Sequence, residues 1–297
     1  MTARIFRQMT TVICLFCVMM TGFLPAQGPS RRYRPAPQYV QIGKLDQEQG
    51  KKILQEFRKN GLYAGECYFE FELRVMPRRG AERIVPGRVW SSHNERGPIT
   101  RIVIAPGVVA QERRLLVQAG PESAAWGWRL GDTTEPVALS TGALFDRLAD
   151  TDVTVFDLQM SFLYWDDFVF EGVSKIRGRP AHTFLMYPPP DVVAQQPDLT
   201  GIRVYLDTQF HQPVQAERLG PEGKLLKTIT VMDLKKIDEQ WIVKSIDFRD
   251  EATRDKSRFS VTGAAVGLDL STGLFEPAML KELIHPPPIE RIQKIGP

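Results

Sequence analysis

The spacing of apolar residues changes near residue 65. Before it, Leu45, Ile53, Leu54 and Phe57 fall on a broadly common face and Asn60-Gly61 supply a stop, so residues 46–59 are predicted to form a helix. After it, Cys67, Phe69 and Phe71 alternate with Glu66, Tyr68, Glu70 and Glu72, and Leu73 and Val75 continue the apolar set. Period two marks a half-buried strand. Further strands are predicted at 82–91, 99–105, 108–118, 125–130, 169–176, 181–187, 201–207, 213–219, 225–234, 241–250 and 256–266. The joints Arg78-Arg79-Gly80, Pro106-Gly107, Arg177-Gly178-Arg179-Pro180 and Asp238-Glu239 carry turn chemistry. Connections this short leave no room for crossover helices, so the sheet is antiparallel.

Short helices are predicted at 141–148 and 276–283, and Pro286-Pro287-Pro288 ends regular structure. Residues 151–163 fit neither period cleanly. An aromatic group, Phe156, Phe162, Tyr164, Trp165 and Phe168, spans this stretch with Asp157, Asp166 and Asp167 among it. A large sheet with one apolar face must bury that face, and few helices are available to do so. The fold class expected is mainly β (α+β): a strongly curved antiparallel sheet forming an unclosed barrel, with helices covering the concave apolar face. A two-sheet sandwich is the alternative.

The amino terminus changes the setting. Arg4 and Arg7 precede an apolar run from Val12 to Leu24, and a cut after Ala26 completes a secretory signal over residues 1–26; an uncleaved anchor is the alternative. Residues 27–44, with Arg31, Arg32 and Arg34 among prolines, read as a disordered basic arm. Residues 45–284 then form a single domain and 285–297 a loose tail, the alternative for 289–297 being that it lies along the surface. Two of the three cysteines lie in the signal, leaving Cys67 without an internal disulfide partner and best read as buried filler. The formal net charge of +3 falls once Arg4 and Arg7 leave, which argues against a nucleic-acid partner.

Motifs for catalysis are missing from the pattern. His93, His182, His211 and His285 have no paired metal spacing. Neither 61–65 nor 263–267 has the lysine or context of a phosphate loop, and no nucleophile elbow occurs. Asp166 and Asp167 are adjacent, so in a strand they face opposite ways and cannot act as a simple acid/base pair. The reading is of a protein that is not an enzyme and needs no cofactor or metal.

The second half resembles the outer membrane lipoprotein-sorting protein family, the periplasmic lipoprotein carriers and their relatives. The residues that carry the resemblance are Phe162-Leu163-Tyr164-Trp165, then 175–181, Arg203-Val204-Tyr205-Leu206-Asp207, Pro213 to Ala216, 227–233, Trp241-Ile242-Val243-Lys244 and Lys256-Ser257-Arg258-Phe259, in that order. The resemblance implies an exported, unclosed barrel with a helical lid over an apolar cavity, working in the periplasm of a diderm bacterium. It implies an acylated lipoprotein or phospholipid as cargo, membrane-bound donor and acceptor proteins, and a monomer. Each methylene taken out of water contributes about 0.8 kcal/mol, so such a carrier needs chiefly a continuous apolar lining. Phe69, Phe71, Trp90, Phe156, Met160, Phe162, Tyr164, Trp165, Phe168 and Phe170 are the candidate lining. The resemblance also implies one polar anchor in the cavity, with Arg74, Arg88 and Arg101 as strand-borne candidates, each read otherwise as an outward-facing surface residue. The competing reading is a sensing or scaffold module that binds a protein or lipoprotein partner; a filled core with an exposed groove would favour it.

Overall fold

The computed structural model describes residues 46–60, 65–105, 112–131, 135–209 and 212–296. The chain divides into units Met1–Gln38 and Tyr39–Pro297, and every described residue lies in the second. The expected signal and basic arm lie outside the described residues.

Helix α1 spans Gln47–Asn60, as the apolar spacing predicts. The Asp46 carboxylate caps it by accepting from the amides of Glu48 and Gln49, and Arg58 and Lys59 stand in its last turn, where cations are favoured. Leu54 and Phe57 bury its apolar face.

The strands are β1 (Cys67–Met76), β2 (Arg83–Asn94), β3 (Gly97–Ile104), β4 (Arg113–Gln118), β5 (Ala124–Arg129), β6 (Val137–Ala138), β7 (Phe168–Ile176), β8 (Arg179–Met186), β9 (Gly201–Asp207), β10 (Pro213–Leu219), β11 (Leu225–Ile237), β12 (Gln240–Asp250), β13 (Lys256–Val266) and β14 (Gln293–Lys294). All but β14 lie in one path, β6-β5-β4-β3-β2-β1-β13-β12-β11-β10-β9-β8-β7, with β14 beside β13. The sheet is therefore two consecutive meanders fused through β1 and β13, which pair from Cys67↔Val266 to Met76↔Lys256 with one shift after Glu70. Its two ends are β6 and β7, consecutive in sequence and unpaired with each other. The barrel stays open there, and residues 139–167 link the two edges.

Local chemistry sets the bends. Arg177-Gly178 and Asp238-Glu239 both have positive φ at two successive positions, the twist-compatible form of a two-residue hairpin turn. Register shifts in β1, β7, β10 and β11 add twist and curl the sheet. At Gly87 a side chain would collide with the Phe71 ring, which lies across this glycine from the facing position of β1.

Both faces of the sheet are covered. The inner face buries Phe71, Val85, Ile102, Val204, Ile229 and Phe248 against α1 and the 139–167 segment. On the outer face the facing residues Tyr68, Trp90, Arg101, Leu116 and Trp126 form a row across successive strands. Phe275, Leu280 and Ile292 from the carboxyl-terminal segment cover that row.

Two expectations are corrected at this end of the chain. The helix predicted at 276–283 is replaced by short 3-10 turns at Thr272–Phe275 and Pro277–Lys281. Its carbonyls are held by arginines: Arg101 donates to the carbonyls of Leu274 (3.2 Å) and Glu282 (2.7 Å). Arg114 donates to those of Leu280, Lys281 and Glu282 at 3.1, 2.7 and 3.0 Å. The tail expected to be loose instead pairs with β13, Ile292 and Ile295 are buried, and the Ile295 amide donates to the Thr262 carbonyl. Arg114 also lies over Trp128 at 4.9 Å. Arg114→Met is therefore expected to cost about 2 kcal/mol, the loss of charged hydrogen bonds to buried carbonyls. Limited proteolysis should then cut first within residues 268–284.

Candidate functional site

The segment between the two open edges builds the site. Thr154 and Asp157 form a reciprocal cap: the Thr154 hydroxyl accepts from the Asp157 amide (3.2 Å), and the Asp157 carboxylate accepts from the Thr154 amide (2.9 Å). Helix α2 (Val155–Gln159) follows, ends at Met160 with φ 49°, and passes into a 3-10 turn at Ser161–Tyr164. Phe156 stacks on Phe145 at 4.4 Å and approaches Phe162 and Trp165 at 5.8 and 6.1 Å. This aromatic group plugs the inner face of the sheet.

Helix α1 ties the plug and its exit to the edge at β7. Gln47 pairs its side-chain amide with both backbone groups of Phe170, donating at 2.9 Å and accepting at 2.8 Å, as a neighbouring strand would. Gly50 allows that approach, because a Cβ there would lie 2.4 Å from Phe170 Cβ. Arg58 donates to the carbonyls of Leu163 (2.9 Å) and Trp165 (2.6 Å).

A polar latch holds the other side of the plug. Arg218 and Lys227 face each other across β10 and β11 on the inner face, a pairing that like charges disfavour. The fully buried Asp157 carboxylate lies between them, accepting from Arg218 at 2.6 Å and from Lys227 at 2.5 Å. Lys227 also donates to the Asp152 carbonyl, and Asp152 exchanges hydrogen bonds with Ser257 of β13. The Arg218 guanidinium lies 4.8 Å from the Phe156 ring centre. A polar cavity of about 230 Å³ opens beside the latch, lined by Arg147, Asp152, Asp198, Arg218, Lys227 and Asp250 among others.

Burial pushes the Asp157 carboxyl up, but Arg218, Lys227 and the Thr154 hydrogen bond outweigh it and hold it below the ordinary value of 3.8. The latch therefore contributes fully above that value and is lost as pH falls through the lowered one. Hydrogen-exchange protection in residues 147–165, taken relative to the intrinsic amide rate at each pH, is expected to stay level at mildly acidic and neutral pH and to fall below about pH 4. In Asp157→Asn this acid-dependent step should be missing.

A second cavity, about 280 Å³, lies where the plug meets the β4–β6 side of the sheet. Leu139, Leu144, Phe156, Tyr164, Trp165 and Val192 supply its apolar wall, with Gln159, Ser161, Thr141 and Asp191 as polar lining. The volume is just below the range of roughly 300–1,000 Å³ usual for small-molecule pockets.

The structure sorts the expected lining residues into three groups. Phe71, Phe156, Phe162, Trp165 and Phe170 are buried in the inner core, with Met160, Tyr164 and Phe168 packed against it. Only Phe156, Tyr164 and Trp165 of these line the 280 Å³ cavity. Phe69 packs elsewhere, against the cluster of Cys67, Ile237 and Ile242. Trp90 is corrected: it is on the outer face, because its register partners are Tyr68 and Arg101. The arginine expectation is corrected as well. Arg74 and Arg88 are exposed, and Arg101 holds the outer carboxyl-terminal segment. Burial and the nearby Arg114 draw the Arg101 guanidinium down to about 10, still charged at neutral pH. Burial pushes the Cys67 thiol up to about 12, helped by Glu66, so it stays protonated and unreactive.

The charges that do face inward, Arg218 and Lys227, were not among the candidates. A signal existed in the strand pattern: Lys227 falls in step with Ile229, on the apolar phase of β11. The spacing Thr154-x-x-Asp157 was a readable helix start.

A family model described as "uncharacterized protein" matches residues 103–282. The chain belongs to that family. No curated protein matches the sequence. Among solved structures, an outer membrane lipoprotein-sorting protein domain from Vibrio parahaemolyticus is similar at 17% identity and TM-score 0.68, covering 80% of this chain and 100% of that one. A DUF1329 family protein from Desulfovibrio piger is similar at 15% identity and TM-score 0.66, covering 79% and 98%. A LolA superfamily protein from Nitrosomonas europaea is similar at 17% identity and TM-score 0.57, covering 76% and 96%. The resemblance read from the sequence thus holds at the level of fold, as does the expected open barrel.

Proposed function

We propose that the protein is an exported, non-enzymatic carrier that shields acyl chains of lipoproteins or other lipids on the inner face of its sheet. The observation that carries this reading is the aromatic plug: one segment, joined to both open edges, covers the apolar inner face together with α1 and leaves a cavity along its margin. Cargo chains would replace the plug's own aromatic surface with surface of the same chemistry. The alkyl surface that the cargo buries would offset the aromatic surface that the displaced plug exposes. The fold shared with lipoprotein-sorting and LolA superfamily structures supports the same reading. Its setting is the periplasm of a diderm bacterium, and its partners are an acylated lipoprotein or phospholipid with membrane-bound donor and acceptor proteins.

A second reading, a module that binds a protein partner, draws on the filled inner face, which holds packed side chains in place of a deep dry cavity. Native mass spectrometry of the protein purified from its own compartment, with lipid extraction, separates the two. The carrier reading expects a bound mass that releases phospholipid, or a co-purified triacylated protein. A clean unbound mass that persists after incubation with lipids and an acylated lipoprotein would move the weight to the protein-binding module.

A further inference from the structure

Two segments meet along one edge of β13. Strand β12 pairs with that edge from Arg249↔Lys256 to Ser245↔Ser260, and there the ladder stops. Both strands run on: β12 reaches back to Gln240 beside β11, and β13 continues to Val266 beside β1. The next pair in the β12 register would be Lys244 with Val261. The carboxyl-terminal β14 has entered beyond that point. Lys294 pairs with Gly263, Gln293 pairs with Ala264, and the Ile295 amide donates to the Thr262 carbonyl at 2.9 Å. Glu70 and Phe69 of β1 already hold the other edge of Gly263 and Ala264, so the tail lies on the β12 side.

The division of this edge has local causes. The β1 pairing passes from Gly263 to Val261 and skips Thr262, a bulge that twists β13 where the two occupants meet. Gly263 leaves room for the tail, because a Cβ there would lie 3.1 Å from Ile292 Cγ2. Ile295 then joins Ile237 and Ile242 of the β11–β12 ribbon in one buried cluster with Cys67 and Val266. The tail is thus wedged between the ribbon and β13. Its hold is short: two ladder pairs, the buried Ile292 and Ile295, and an exposed ion pair between Lys294 and Glu70 at 2.6 Å.

The ribbon is left with an unused edge. Ile237 and Gln240 close the two-residue turn, so Trp241 and Val243 direct their backbone groups away from β11. Among the described residues no strand but β11 pairs with residues 240–244. Trp241 and Leu234 of the ribbon are both exposed. Unpaired backbone on a strand edge is a template for a further strand, and the strand in line with this one is the part of β13 that the tail covers.

We infer that the β13 edge from Val261 to Ala264 is a strand-exchange site, held by the tail in this state and by residues 241–244 of β12 when the tail is withdrawn. The tail is a wedge that keeps the ribbon off β13. Its withdrawal, by a partner that binds it or by proteolysis, is transmitted to the ribbon as a longer β12–β13 ladder. The inference does not depend on the carrier reading.

Amide hydrogen exchange, resolved residue by residue, tests it. In the full chain, Ile295→Asp places a carboxylate among Cys67, Ile237 and Ile242 and should release the tail. The amide at position 295 then loses its protection. The Trp241 and Val243 amides are expected to exchange about tenfold more slowly than in the native protein, each rate taken against its intrinsic value. A released tail with Trp241 and Val243 exchanging at the native rate or faster would overturn the inference. If Ile295→Asp does not fold or keeps its tail in place, Ile295→Pro is read at the same two amides, since it removes the N–H donated to Thr262 without burying a charge.

Discussion

Asp157→Ala is expected to lower the stability of the folded domain by about 3–5 kcal/mol, the range found when one partner of a buried ion pair is removed. The size follows from what remains. Arg218 and Lys227 face each other on the apolar side of β10 and β11, and both point at the space the carboxylate leaves. The same substitution removes the reciprocal cap of α2. For a domain of this size the loss corresponds to a fall of about 10 °C in the melting temperature. The effect should be local as well as global, with exchange protection falling first in residues 147–165. Adding Lys227→Met to Asp157→Ala should recover part of the loss, because one of the two stranded charges is gone. A purely additive double variant would show that the latch is not a coupled unit.

Phe156→Ala is expected to act with opposite signs on stability and on binding. Phe156 is 1% exposed and contacts Phe145, Phe162, Trp165 and the Arg218 guanidinium. Truncating it should cost about 3–5 kcal/mol, as large-to-small changes in packed aromatic cores do. It also forms part of the cavity wall, so the truncation extends the cavity into the plug. A decanoyl ester should therefore raise the melting temperature of the variant more than that of the native protein, by filling space that the native ring occupies. Thermal denaturation with and without the ester reads both effects. Equal ligand shifts in the two proteins would place the acyl site away from Phe156.

These effects explain which parts of the molecule could be read from sequence. Alternation in β1 and the turn chemistry of Arg177-Gly178 and Asp238-Glu239 are local, and both lead directly to the observed hairpins. The pairing of β1 with β13 joins residues far apart in the chain, and no local pattern encodes it. Period two reports that one face is apolar, but it does not reveal that the other face is covered too. Tyr68 is thus buried on the side that alternation assigned to solvent, and Trp90, expected on the inner face, lies beside it beneath the segment containing Phe275 and Leu280. That segment is held by Arg101 and Arg114 through carbonyl contacts, which leave no periodic trace. At the site, the aromatic run 156–168 was legible as unusual, and much of it does form the plug. The polar contacts of Asp157 and Gln159 were not, because each depends on partners from distant strands.

The central claim is that the aromatic plug yields the inner face to acyl cargo. Hydrogen exchange of the full protein with and without a triacylated lipopeptide tests it most directly. The account predicts faster exchange across residues 143–165 on binding, while β9 to β12 stay protected. A lipopeptide that binds while residues 143–165 keep or increase their protection would contradict it.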